Sequence, residues 1–152
     1  MRDNAEVIAP PRLIYLAPLL VGLRLHRVLP VAFRPRRLAR ILGWALLGSA
    51  TVVEIWFVLT MARARTPINP TRPVARVVTS GPFRWSRNPS YLTFTMIYTG
   101  IASLVNTLWP MLLLPMTLLI IQRGVIEREE RYLEQKFGEE YLRYKGRVRR
   151  WV

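Results

Sequence analysis

The sequence has no cysteine, a single histidine and few acidic residues. Without cysteine the chain has no disulfide, no thiolate nucleophile, no zinc–thiolate site and no cysteine-ligated iron–sulfur cluster. Because His26 is the only histidine, the chain also has neither a multi-histidine metal site nor a Ser-His-Asp triad. We therefore expect no bound metal.

Acidic residues are outnumbered by basic ones, 9 against 23, which gives a net charge of +14. All but two of the basic residues are arginine, the side chain that binds phosphate and carboxylate groups with two parallel hydrogen bonds. A soluble nucleic-acid-binding protein has a similar charge, but its apolar and basic residues alternate. Here the 51% of hydrophobic residues form separate blocks. The pattern predicts a single-domain integral membrane protein over residues 1–152, with membrane lipids and not nucleic acid as partners.

Four apolar segments are candidates for membrane-spanning helices, which need about 20 residues each. The clearest is 38–62, interrupted only by Glu54. The blocks 91–105 and 108–121 are separated by two residues and predict a tight helical hairpin. The segment 13–29 ends in basic residues and either spans or lies partly in the headgroup layer. The sequence thus predicts an all-α fold with about four transmembrane helices, of which 1–62 supply the N-terminal spans.

The arginines orient these spans. If all four cross, seventeen of the 23 cations lie on the face that holds the N-terminus, the loop 63–90 and the tail 122–152. The other face receives the six arginines between Arg24 and Arg40. The positive-inside rule places the more basic face in the cytoplasm. We therefore expect both termini on the cytoplasmic side of an inner or plasma membrane.

The loop before the hairpin ends in a helix-start signal. The Asn88 side chain is expected to accept from a free backbone N–H of the first turn, and Pro89 fits the first helical position. The dipole of this helix and the guanidinium groups of Arg84 and Arg87 would favour an anionic group at one place. An equally good interpretation of the loop alone is that these arginines hold lipid phosphates.

The tail after the hairpin is predicted to continue the last membrane helix into the cytoplasm as an amphipathic helix. Gly138 is a candidate for the end of this helix. Pairing on the helix surface explains most acidic residues of the tail. Glu129 and Glu130 differ because they lie where the helix leaves the bilayer, beside the arginines of the loop, and predict a polar pocket for a zwitterion or a cation. The apolar stripe of the helix is formed by Ile126, Leu133, Phe137, Tyr141, Tyr144 and Val148.

Two motifs flank the predicted hairpin, GPFRWSRNPSY from Gly81 to Tyr91 and EERYLEQKFGEEYLRYKGRV from Glu129 to Val148. In this order, over residues 66–152, they resemble the isoprenylcysteine carboxyl methyltransferase and phospholipid methyltransferase superfamily. The resemblance implies an all-α membrane fold that encloses S-adenosylmethionine at the cytoplasmic surface and takes its acceptor from the lipid. It implies a cofactor-binding role for Gly81, Pro82, Arg87, Asn88, Pro89, Tyr91, Glu129, Glu130, Phe137, Tyr141 and Tyr144.

The sequence departs from the eukaryotic prenylcysteine enzymes in two places. Those enzymes carry histidine at the position of Asn88, and their C-terminal segment is rich in proline. We therefore expect a lipophilic or membrane-associated acceptor with a carboxylate, thiol or amine headgroup. An amine would have to lose a proton, for which Glu54, Glu129 and Glu130 are candidates. The residues proposed for catalysis are Glu54, the one acid inside an apolar span, and Arg123, just beyond the hairpin.

The alternative function is a noncatalytic membrane protein, either a lipid-binding scaffold or a small transport subunit. It explains the arginines and the spans but not the two ordered motifs. A soluble nucleotide-binding methyltransferase is excluded because the sequence has no glycine-rich turn from a strand into a helix. Retention of S-adenosylmethionine or its demethylated product by the purified protein separates the two remaining functions.

Overall fold

The computed structural model of the chain describes residues 7–68 and 74–152. Over these two ranges the structure is helical and contains no strand, which confirms the predicted all-α class. A 3₁₀ turn, Gly81–Arg84, precedes the third helix, and a π-helical turn, Gln122–Ile126, follows the fourth. The α-helices are α1 (Pro11–Val28), α2 (Arg36–Arg63), α3 (Pro89–Val105), α4 (Leu108–Ile121), α5 (Glu127–Phe137) and α6 (Glu139–Lys145).

Among the described residues, two helices are long and apolar enough to cross a membrane, α2 and the continuous helix Leu108–Phe137 that contains α4 and α5. Large apolar side chains on α2 are exposed, with 63% for Trp44 and 67% for Val52. Such exposure is expected of a helix that faces lipid, because lipid tails do not drive apolar side chains into a core. The predicted crossing by α1 and α3, which have 18 and 17 residues, stays a prediction.

Glycines allow the helices to approach closely. A Cβ atom added to Gly22 on α1 would lie 2.6 Å from the backbone nitrogen of Pro110 on α4. A Cβ atom on Gly43 of α2 would lie 3.0 Å from the carbonyl oxygen of Gly100 on α3. Small residues at such contacts are typical of helix pairs in membranes. The bundle therefore pairs α1 with α4 and α2 with α3.

The turn between α3 and α4 consists of two residues, as the sequence predicts. Asn106 adopts a left-handed conformation (φ +55°), which reverses the chain after α3. Its side-chain Nδ2 donates to the carbonyl oxygen of Arg34 at 2.8 Å, and Trp109 Nε1 donates to the carbonyl oxygen of Leu29 at 2.7 Å. The hairpin turn is thus fixed to the connection between α1 and α2.

The tail folds back toward the loop. Gly138 (φ +51°) ends α5 and begins α6, which confirms its predicted role. Of the predicted apolar stripe, Ile126, Tyr141 and Tyr144 are buried. The Tyr144 hydroxyl donates to the carbonyl oxygen of Phe83 at 2.7 Å, so α6 packs against the loop that precedes α3.

Candidate functional site

A cavity of about 630 Å³ lies where the end of α2, the start of α3, α5 and α6 meet. This volume is in the range of small-molecule and cofactor sites, about 300–1,000 Å³. Its wall is largely apolar and aromatic, with charged side chains of both signs at Arg12, Arg76 and Arg87 and at Glu129 and Glu130. Eight residues that the resemblance implies for cofactor binding line it: Arg87, Asn88, Pro89, Tyr91, Glu129, Glu130, Tyr141 and Tyr144.

The 3₁₀ turn packs against α2 next to the cavity. Gly81 has φ +61°, and a Cβ atom there would lie 2.3 Å from Oγ1 of Thr60 on α2. Pro82 is buried, and the Phe83 ring lies 5.7 Å from that of Phe57. Gly81 and Pro82 are not among the residues that line the cavity. They hold the loop against α2 so that the next residues reach the cavity.

A buried ion cluster joins the loop to the tail. Glu130 is 5% exposed, and its Oε1 lies 3.2 Å from Arg87 Nη1. Arg150 binds the same carboxylate with two hydrogen bonds, from Nε to Oε1 at 3.0 Å and from Nη2 to Oε2 at 2.8 Å. Of the predicted meeting of the loop arginines with Glu129 and Glu130, the pair between Arg87 and Glu130 is present. Glu130 neutralises protein guanidinium groups, so its carboxylate is already engaged.

Asn88 occupies the position before α3, but its side chain makes no capping hydrogen bond. The predicted cap is wrong. The Asn88 Nδ2 group instead donates to the carbonyl oxygen of Arg150 at 2.9 Å, and the backbone N–H of Asn88 donates to Ser86 Oγ at 3.1 Å. The Asn88 side chain therefore binds the tail and does not cap α3.

Glu129 has different surroundings from Glu130. The Tyr91 hydroxyl donates to Glu129 Oε1 at 2.7 Å. Glu129 lies in α5, beyond the apolar part of its helix, and burial raises the pKa of its carboxyl to about 7. The hydrogen bond from Tyr91 opposes this rise in pKa, and the nearby charge of Glu130 adds to it.

The two tyrosines of α6, Tyr141 and Tyr144, form part of the cavity wall. Tyr141 and Tyr144 are buried, and their rings meet edge to face with centroids 6.1 Å apart. Burial raises the pKa of Tyr141 to about 12, so it stays a neutral hydrogen-bonding group. Phe137 is half-buried at the end of α5 and does not line the cavity.

The two residues predicted for catalysis lie away from the cavity wall. Glu54 is half-buried on α2, beside Thr93 of α3 and within electrostatic reach of Arg12 of α1. Arg123 is exposed in the π-helical turn. Neither is among the lining residues, and the same holds for the exposed Arg84. The catalytic roles of Glu54 and Arg123 therefore stay predictions.

Sequence reasoning missed Arg12, Arg76 and Arg150. Arg12 and Arg76 line the cavity, and Arg150 binds one of its carboxylates. The sequence gives no signal that separates Arg150 from Arg149 beside it, whereas Arg12 is recognisable as the one cation just before the apolar part of α1. Within residues 7–68 and 74–152, no group of three metal-binding side chains is present.

Comparison with known proteins assigns the family. The phospholipid methyltransferase family model matches residues 38–140, from α2 into α6, which hold most of the cavity wall. A stretch of 35 residues is 60% identical to an uncharacterized protein of Haemophilus influenzae, covering 23% of this chain and 56% of that protein's length. No solved structure matches the chain. The chain belongs to the phospholipid methyltransferase family, a family of membrane-associated methyltransferases.

Proposed function

We propose that the chain transfers a methyl group from S-adenosylmethionine to a lipophilic or membrane-associated acceptor. The observation that carries the proposal is a single cavity into which the loop motif and the tail motif both bring charged side chains. Arg87 comes from the loop, and Glu129 and Glu130 come from the tail. A lipid-binding scaffold needs no such convergence, and the family is one of methyltransferases.

The residues present fit S-adenosylmethionine, which combines a carboxylate, an amine, a sulfonium centre and an adenosine group. Arg87 Nε and Nη1 are buried without a hydrogen-bond partner within the described residues, so N–H donors are available for a ligand carboxylate. The Glu129 carboxylate makes no ion pair in the described part of the chain and favours a positive centre. Tyr141, Tyr144 and the apolar wall suit an adenine ring.

The bound cofactor would supply an electrophilic methyl group on a positively charged sulfur. The protein then has to align donor and acceptor and keep water out, a contribution of up to about 7–11 kcal/mol in a well-oriented site. Arg87 would hold the cofactor's carboxylate, Glu129 would stabilise its positive charge, and the tyrosines of α6 would cover the cavity. Rigid placement of these side chains is the main catalytic contribution of the fold.

The acceptor is proposed to enter from the lipid, and the apolar wall formed by Phe57 and Met61 of α2 and Phe94 of α3 suits a lipophilic molecule. An ionised thiolate or carboxylate acceptor needs no base. An amine acceptor has to release a proton, and Glu129 is the proposed base because Glu130 is neutralised by Arg87 and Arg150. We propose Glu129 ahead of Glu54 because Glu129 lines the cavity and Glu54 does not.

In the membrane we propose that α1 to α4 all cross and that the cavity opens at the cytoplasmic face, with both termini on that side. The ends of α1 and α2 that line the cavity, the loop and α5 and α6 all belong to the more basic face of the predicted topology. The membrane would be the plasma membrane or a bacterial inner membrane.

Calorimetry on the protein purified in detergent tests the cofactor directly. We expect S-adenosylmethionine and S-adenosylhomocysteine to bind at one site per chain, and mass spectrometry to find one of them retained after purification. Incubation with methyl-labelled cofactor and a lipid extract then identifies the class of acceptor. Absence of both binding and label transfer would leave the scaffold or transport function as the better explanation.

A further inference from the structure

We infer that Arg150 is a positioning residue: it does not line the cavity, but it holds in place residues that do. Its guanidinium group binds both oxygens of Glu130, at 3.0 and 2.8 Å. Two parallel hydrogen bonds fix the plane of the carboxylate as well as its distance, which a single contact would not do. The role in cofactor binding rests on the proposed function, whereas the role in cavity geometry does not.

The backbone of the same segment holds the loop. The carbonyl oxygen of Arg150 accepts hydrogen bonds from Asn88 Nδ2 at 2.9 Å and from Ser86 Oγ at 3.2 Å. The backbone N–H of Arg87 donates to the carbonyl oxygen of Arg149 at 3.0 Å. One residue of the tail therefore fixes both the loop, through its backbone, and α5, through its side chain.

This double attachment determines what Arg87 offers to a ligand. Glu130 Oε1 is 3.2 Å from Arg87 Nη1, but neither Nη1 nor Nε of Arg87 has a hydrogen-bond partner within the described residues. Arg150 takes both carboxylate oxygens, so Glu130 is kept from turning fully toward Arg87. Without Arg150 we expect Glu130 to form the hydrogen bonds to Arg87 itself, and these N–H groups would no longer be available in the cavity.

Arg149 is a matched control for Arg150. The two residues are adjacent and carry the same charge, but Arg149 is exposed and its contact with the loop is made by its backbone carbonyl. Arg149→Gln and Arg150→Gln change the net charge by the same amount. Only the second substitution removes the two hydrogen bonds to Glu130.

Hydrogen–deuterium exchange on the cofactor-free protein tests the geometry. We expect Arg150→Gln to speed amide exchange in peptides that cover residues 86–92, and Arg149→Gln to leave it at the wild-type rate. Arg150→Lys keeps the charge but offers a point contact instead of two parallel bonds, so we expect an intermediate rate. Equal exchange in wild type, Arg150→Gln and Arg150→Lys would overturn the inference. If Arg150→Gln does not fold, the exchange rates of Arg150→Lys and Arg149→Gln are compared instead. Equal rates in these two variants would then overturn the inference.

Calorimetry with S-adenosylmethionine on the same variants tests the consequence. We expect Arg150→Gln to weaken binding about 10- to 100-fold, since small displacements of a binding group have effects of this size. Arg149→Gln should bind as the wild type does, and circular dichroism should show the same helix content in both variants. In a Glu130→Gln background the further change Arg150→Gln should weaken binding little, because the ion pair that Arg150 also makes, with Glu127 at 3.8 Å, is long and partly exposed.

The two proposals fail in different ways. If the wild type binds no S-adenosylmethionine, the proposed function fails, and the exchange rates alone decide on Arg150. If the wild type binds the cofactor and Arg150→Gln binds it equally well, the positioning role is overturned and the proposed function stands. A lower melting temperature with unchanged affinity would show that Arg150 is structural only, which also overturns the inference.

Discussion

The Tyr91 hydroxyl donates a hydrogen bond to Glu129 Oε1 across 2.7 Å, and this contact joins the first turn of α3 to α5. The two residues are 38 positions apart, at the two ends of the hairpin formed by α3 and α4. The contact therefore holds the start of α3 close to α5, where the loop and the tail meet at the cavity.

The surroundings of Glu129 predict a stability that depends on pH. Its pKa rises from a usual value of 4.5 to about 7 in the folded protein, so the folded state holds the proton more tightly than the unfolded state. The contribution of Glu129 to stability is therefore full below about pH 4.5 and is lost as the pH rises through 7. Thermal melts in detergent between pH 5 and 8 should show a decline that Glu129→Gln reduces. Glu139→Gln, at an exposed position, should leave it unchanged.

The same group predicts how cofactor binding depends on pH. A positive centre near Glu129 favours its ionised form, so binding should release a proton around neutral pH. Calorimetry in buffers with different ionisation enthalpies measures this release directly. We expect it in the wild type at pH 6.5 and expect Glu129→Gln to lack it. The same proton release in both proteins would assign the titration to another group.

Glu130→Gln should affect both stability and binding, because Glu130 is buried between two guanidinium groups. Removal of one partner of a buried pair costs about 3–5 kcal/mol, and we expect the lower end because the Arg150 side chain is 29% exposed. The melting temperature should fall, and cofactor affinity should fall with it as Arg87 loses its fixed position. Glu140→Gln, exposed on α6, is the matched control and should change neither. A melting temperature equal to that of the wild type would contradict the claim that the ion cluster of Glu130, Arg87 and Arg150 stabilises the fold.

The sequence predicts the helices well because their signals are local. The ends of α3 and α4 match the apolar blocks 91–105 and 108–121, and Gly138 separates α5 from α6 as predicted. Hydrophobic periodicity and a glycine after a helix depend only on neighbouring residues. The family motifs likewise identify eight of the residues that line the cavity.

The interactions inside the site are less predictable because they depend on distant partners. Asn88 has the local signature of a helix cap, but the carbonyl oxygen of Arg150, 62 positions away, takes its side-chain N–H. Glu54 is the one acid in an apolar span, and only the packing of α2 on α3 shows that it lies beside Thr93 and not in the cavity. Neither result can be obtained from the residues near Asn88 or Glu54 alone.

Position 81 is predicted to require glycine for two separate reasons. The backbone has a positive φ of +61°, and a Cβ atom there would collide with Thr60. Gly81→Ala should lower stability by about 1–2 kcal/mol from the backbone conformation alone, with a further steric loss against Thr60. The double variant Gly81→Ala with Thr60→Ala should recover the steric part only. Chemical denaturation in detergent of the single and double variants separates the two parts. Full recovery in the double variant would show that the backbone contributes nothing.

Gly22 tests whether α1 is held at a fixed distance from α4. A Cβ atom at Gly22 would meet the Pro110 backbone nitrogen at 2.6 Å, and backbone atoms cannot turn aside as a flexible side chain can. Gly22→Ala should therefore push α1 away from α4 and lower the melting temperature. Because α1 brings Arg12 to the cavity, cofactor affinity should fall as well.

The matched control is Gly48→Ala on α2. No atom lies within 4 Å of a Cβ added to Gly48, so this substitution should stabilise the helix by up to about 1 kcal/mol. If Gly22→Ala lowers the melting temperature but leaves affinity unchanged, α1 supports the bundle without placing a residue that the cofactor needs.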